Sequence, residues 1–153
     1  MNIEDLANEI FHNEFESSNN SLTKISGWLD NNLGKLNTLL NTEFSGSAGV
    51  VANMGLEEQN IYKEMYMHHF YTKETRNTLR GIANDSNGNI LSVKDGDNAI
   101  SFVNKNEVSK VYRSLATDTA ERLQELVYKY NLYRSSPKQV GGIEASIPSG
   151  IYE

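Results

Sequence analysis

The sequence predicts a mainly α protein: a helical bundle with two long helices, a short β-hairpin between them and an extended C-terminal arm. Three observations lead there. Apolar residues recur every three to four positions over most of the first 131 residues, the period of a helix with one buried face. Asn87-Gly88 and Asp95-Gly96 interrupt that period as hairpin turn signals. The stretch after residue 134 carries both prolines of the chain and no helical period, which divides it into a helical domain over 1–134, with its hairpin near 88–103, and an arm over 135–153.

Each element has its own signal. In residues 2–15, Ile3, Leu6, Ile10 and Phe11 share a face, while Glu4 and Asp5 suit the positive end of a helix dipole. "ESSNNS" then favours caps and turns over helix. From 21 to 41, Leu22, Ile25, Trp28, Leu29, Leu33, Leu36 and Leu40 keep helical spacing, but Gly34 lies among them, close after Asn31 and Asn32. Asn-rich sequence before glycine is turn chemistry. It predicts a helix break at Gly34, with one helix ending near Asn31 and the next starting near Lys35; the other reading is a close helix or subunit contact at that glycine.

Residues 45–55 read as a packed loop of small residues. A helix over 56–80 follows, with Glu57 and Glu58 in its first turn, Arg76 and Arg80 in its last, and Gly81 as the residue just past its end. Ile61, Met65, His68 or His69, and Leu79 trace one side of it; Tyr62, Tyr66 and Phe70 trace a second. "NILSVK" and "AISFV" supply the two hairpin strands. The last helix is expected over about 105–131. Asn104 would be its N-cap and Glu107 would reach back. Its buried stripe would hold Val108, Val111, Tyr112, Leu115, Thr119, Leu123, Leu126 and Tyr130, with Asp118–Arg122 and Glu125–Lys129 as surface pairs. In the arm, Val140, Ile143, Ile147 and Ile151 would stay exposed unless docked, so they are the predicted interface residues.

Composition limits the function. Hydrophobic residues make up 38% of the 153-residue chain, below roughly 45–50% for average domains on a count that includes glycine. That suits a thin fold that completes its burial against neighbours. A net charge of −6, with 14 scattered basic residues, opposes general binding to phosphate backbones. The absence of cysteine excludes disulfides and thiolate chemistry. No apolar run approaches ~18 residues and the N-terminus is acidic, so neither a membrane span nor a signal peptide is expected.

No catalytic, cofactor-binding or metal-binding residues are predicted. His68 and His69 are adjacent and point about 100° apart on a helix; Glu64 with His68 has ligand spacing but lacks a third partner. The oxygen-rich 85–97 stretch fails the EF-hand pattern at its sixth and twelfth positions, Ile90 and Gly96. Ser17, Ser18 and Ser45 lack a nucleophile motif, and "SGSAG" lacks the lysine of a phosphate loop. The tyrosine stripe has no interleaved cations to support base stacking. The chain therefore reads as a non-enzyme.

Three stretches, "WLDNNLGKLNTLLNTEF", "LEEQNIYKEMYMHHFY" and "VKDGDNAISFVNKNEVSKVYRSLATD", extended by "YNLYRSSPKQVGG", resemble the small head–tail connector (neck or adaptor) proteins of tailed bacteriophages. The resemblance covers most of residues 22–131 and rests on structural rather than catalytic motifs. It implies a virion protein assembled in the host cytoplasm. It also implies a homo-oligomeric, dodecameric ring that contacts the portal protein and other neck or tail proteins. Genomic DNA would pass through the ring without specific binding. A small soluble oligomeric helical protein with a regulatory or chaperone-like binding role stays open beside it.

Overall fold

The structure, a computed structural model, describes residues 2–15, 21–47, 49–84, 92–95, 98–101 and 105–135, with side chains over 2–15, 21–46, 49–81 and 106–135. It is mainly α. Helix α1 (Ile3–Ile10) starts at Asn2, whose side chain accepts from the backbone N–H of Glu4 at 3.0 Å. It continues as a π-helical turn over Phe11–Phe15 that carries Phe15 into the core. Helix α2 spans Leu22–Leu40, capped by Ser21 at its start.

The predicted break at Gly34 is not there: α2 passes through it without interruption. The asparagines do not end the helix but turn back onto it. Asn31 Nδ2 donates to Gly27 O at 2.7 Å and Asn32 Nδ2 to Trp28 O at 2.8 Å. Magnitudes explain the outcome. Glycine costs a helix ~1 kcal/mol, whereas Leu29, Leu36 and Leu40 are all but fully buried, each worth about 1.5–3 kcal/mol. Gly34 is not a close-contact glycine either, since a Cβ there would meet nothing within 4 Å. Gly34→Ala should therefore raise stability by up to ~1 kcal/mol, read as a higher midpoint in thermal or urea unfolding. The residue that does end α2 is Asn41, in the left-handed conformation with φ 50°. Asn37 then braces the exit, accepting from the Phe44 backbone N–H at 2.9 Å and donating to Phe44 O at 2.8 Å.

The loop that follows is held by a two-residue antiparallel ladder, β1 (Gly46–Ser47) with β2 (Val50–Val51), in the register Gly46 to Val51. Ile3 N donates to Gly49 O at 2.8 Å, which ties the N-terminus to this ladder. Val51 is buried, but Val50 is exposed.

Helices α3 (Leu56–Asn84) and α4 (Lys105–Ser135) are about 43 and 46 Å long. Helix α3 runs through Gly81 rather than stopping before it, and α4 extends past Asn131 to Ser135. The two lie antiparallel. Glu58 meets Arg134 at 3.1 Å, Glu64 meets Arg122 at 3.2 Å, and His68 meets Ala116 at 3.1 Å. Between them, β3 (Ser92–Asp95) pairs antiparallel with β4 (Asn98–Ser101), Val93 opposite Ile100. Asn104, the 85–91 stretch, Gly96 and Asp97, Ser17 and Ser18, and the arm with Val140, Ile143, Ile147 and Ile151 lie outside the described residues.

The core is built by α1, α2 and the first half of α3. Leu6, Ile10, Ile25, Leu29, Leu36 and Leu40 pack with Ile61, Tyr62, Met65 and Tyr66. Both predicted stripes of α3 enter it, except Leu79, which is exposed. Helix α4 contributes less than its pattern predicts. Tyr130 and Thr119 are buried, but Val111 and Leu126 face solvent. The Asp118–Arg122 pair gives way to Arg122 reaching across to Glu64, while Glu125–Lys129 forms along the helix.

Candidate functional site

Two features beyond the core have defined geometry: a carboxylate clasp between the ends of α3 and α4, and a cationic cleft midway along them.

The clasp centres on Glu58. Gly55 O accepts from Gln59 N at 3.1 Å, making Gly55 the N-cap of α3 and Glu58 its third helical residue. From that position a glutamate can reach back to the N-cap backbone N–H. The Glu58 carboxylate sits so close that a Cβ on Gly55 would stand 2.8 Å from Oε2 and displace that end of the side chain. Its other oxygen, Oε1, accepts from Tyr130 Oη at 2.7 Å and from Arg134 Nη2 at 3.1 Å. Arg134 also lies 5.0 Å above the Tyr130 ring. Burial alone would raise the Glu58 pKa. The Tyr130 hydrogen bond, the backbone N–H groups of Glu58 and Gly55, and the Arg134 charge outweigh it and hold the carboxyl below its ordinary value. The Tyr130 phenol is pushed up to about 12, by burial first and then by its bond to Glu58. The clasp thus stays a carboxylate accepting from a neutral phenol across the neutral range.

The cleft, of about 740 Å³, opens between α2, α3 and α4. Met65, Leu39, Leu123 and Val127 give it an apolar floor, and Lys35, Lys73 and Arg76 give it a cationic rim. Trp28 lines it, stacked on His69 with ring centroids 5.0 Å apart and planes 27° from parallel. Among the described residues its lining contains no Asp or Glu, although the chain carries 20 of them. Electrostatics report the same crowding of cations: burial first, then Lys73, Lys35 and Arg76, lower the pKa of His69. His69 therefore stays neutral in neutral solution, and the three rim cations carry the charge.

His68 also lines the cleft, with its Nδ1 turned to Ala116 O at 3.1 Å. A carbonyl can only accept, so Nδ1 carries the proton. Glu64 lies on the neighbouring turn. Burial raises its pKa and Arg122 opposes the rise. Arg122 Nε approaches Glu64 Oε1 to 3.2 Å, yet that oxygen has no hydrogen bond of proper angle among the described residues. The pair of Glu64 and His68 is thus occupied by structural partners. No group of three or more His, Asp or Glu residues is placed to hold a metal among the described residues. No described helix is long and apolar enough to cross a membrane. Ser45 is exposed in the loop before β1.

Neither feature was singled out from sequence. Glu58 reads as one of two dipole acids, and only the approach of α4 reveals its second role. The cleft needs Lys35 and Leu39 on the same helix as Trp28, which a break at Gly34 would forbid. The spacing of Lys73 and Arg76, three apart on one helix face, was the one visible hint. Comparisons with protein-family models, curated proteins and solved structures found nothing that matches the chain.

Proposed function

We propose that the chain is a structural subunit of a bacteriophage neck, one copy of a ring that joins the portal to the tail and through which genomic DNA passes. In this reading the subunit is a helical bundle with a hairpin between its long helices, and its C-terminal arm contacts other subunits. The observation that supports it best is the apolar surface of the long helices. Tyr128, Leu132 and Tyr133 in the last turns of α4 are 67%, 53% and 79% exposed, and Leu56 at the adjoining start of α3 is 78% exposed. Large apolar side chains gathered at one end of a molecule mark contact surfaces. The fold offers two long helices with exposed surface, and the resemblance over most of residues 22–131 to connector proteins points the same way. The acidic balance of the chain suits a channel that DNA slides through, since like charge weakens phosphate binding.

The test is assembly. Mass measurement and electron microscopy of the purified chain should show rings, alone or on a portal. A monomer or dimer that captures a soluble client would instead favour the regulatory or chaperone-like reading. Deleting residues 136–153 should leave the helical circular dichroism intact and weaken assembly. Assembly of the truncated chain at full strength would remove the arm from the interface.

A further inference from the structure

We infer that the cleft between α2, α3 and α4 is the docking site of this chain's own arm segment, residues 143–153, in the free subunit. The inference does not depend on the ring reading, because it concerns a contact within one chain.

Chemistry is the first argument. The cleft combines an apolar floor of Met65, Leu123 and Val127 with the rim cations Lys35, Lys73 and Arg76, and no carboxylate among the described residues lines it. No ion pair or hydrogen bond within the described residues engages those three cations through their side chains. The matching occupant carries apolar side chains and negative charge. "IEASIPSGIYE" has that character: Ile143, Ile147 and Ile151 are its apolar anchors, Glu144 and Glu153 its charges, and it contains no Lys or Arg. A cleft of about 740 Å³ is within the range of roughly 300–1,000 Å³ that encloses a ligand of several side chains.

Reach is the second argument. The α4 wall of the cleft runs from Ala120 to Asn131, and α4 ends at Ser135, one turn beyond. From Ser135 back to Ala120 is about 22 Å along the helix. The seven residues 136–142 span up to about 24 Å when extended, and Pro137 with Gly141-Gly142 favours the reversal required. Ile143 can therefore be delivered anywhere along the wall. A tether this short gives an effective concentration on the order of millimolar, so a weak site on the same chain outcompetes a second copy in dilute solution. A contact made within the free chain is also one that a neighbouring copy can exchange on assembly.

Trp28 makes the proposal measurable, because it lines the cleft and is the chain's single tryptophan. In the full chain, Ile147→Asp with Ile151→Asp should raise the acrylamide quenching of Trp28 about twofold as the apolar anchors leave the floor. Both positions follow α4, so the helical circular dichroism should not change. Lys73→Glu with Arg76→Glu, on the exposed rim, should raise it similarly, and adding Glu144→Lys with Glu153→Lys should restore part of the protection. The protection should be constant over about a fiftyfold range of protein concentration, the mark of a contact within one chain. Quenching unchanged by both the arm and the rim substitutions would overturn the inference. Protection that grows with concentration would also overturn it, giving the cleft to a second copy.

Discussion

Tyr62→Ala should lower the unfolding free energy by about 3–5 kcal/mol, the cost of removing a large buried aromatic, and urea unfolding should show it. Tyr62 has no exposed surface and stands where α2 and α3 meet. Its ring lies 6.2 Å from Trp28, and its hydroxyl donates to the backbone carbonyl of Leu29 on α2. Burial first, and the nearby Asp30 charge second, raise its pKa, so the hydroxyl remains a donor across the neutral range. Tyr62→Phe separates the two contributions. It keeps the ring and loses one hydrogen bond, while the Leu29 carbonyl retains its place in the α2 ladder. The expected loss is about 1 kcal/mol. A loss as large as that of the alanine variant would show that the hydroxyl, and not the ring, fastens α2 to α3.

Glu58→Ala should cost about 2–3 kcal/mol, chiefly through the buried Tyr130 hydroxyl left without its acceptor. The Arg134 share is small because that side chain is 58% exposed and solvent screens the pair. The pH dependence carries a definite sign. The folded-state pKa of Glu58 is depressed, so its stabilisation is fully present above the unfolded-state value near 4.5. It is lost as the pH falls from there through the lower folded-state pKa. Unfolding midpoints of the native chain should therefore drop on acidification below about pH 4.5. Glu58→Gln should be less stable at neutral pH and should show a shallower drop over that window. Equal acid sensitivity in the two proteins would place the acid response in other carboxylates. Because the clasp joins the first turn of α3 to the last turns of α4, its loss should also free the exposed end that carries Tyr133.

Much of this architecture is legible in the residues. The apolar periods of α1 and α2, the acids Glu57 and Glu58 in the first turn of α3 and the Glu125–Lys129 pair are local, involving residues within one or two turns, and local patterns are what a sequence displays. The candidate sites are different. Glu58 and Tyr130 are 72 positions apart, and Lys35 is 38 positions from Lys73. Each becomes part of a site only when α3 and α4 lie side by side against α2.

The sequence by itself determined that the chain is mainly helical and where most helices begin. Tertiary structure alone decided which apolar residues are buried and where the helices stop. Val111 and Leu126 keep the helical period of α4 yet face solvent, because a period fixes a face and not whether another element covers it. Gly34 and Gly81 carry the local signal of a helix end, yet α2 and α3 run through both. At Gly34 the reason is energetic: a glycine weakens a helix by ~1 kcal/mol, and the burial of Leu29, Leu36 and Leu40 against α1 and α3 exceeds that several-fold. That same continuity sets Lys35 and Leu39 beside Trp28 and so forms the cleft.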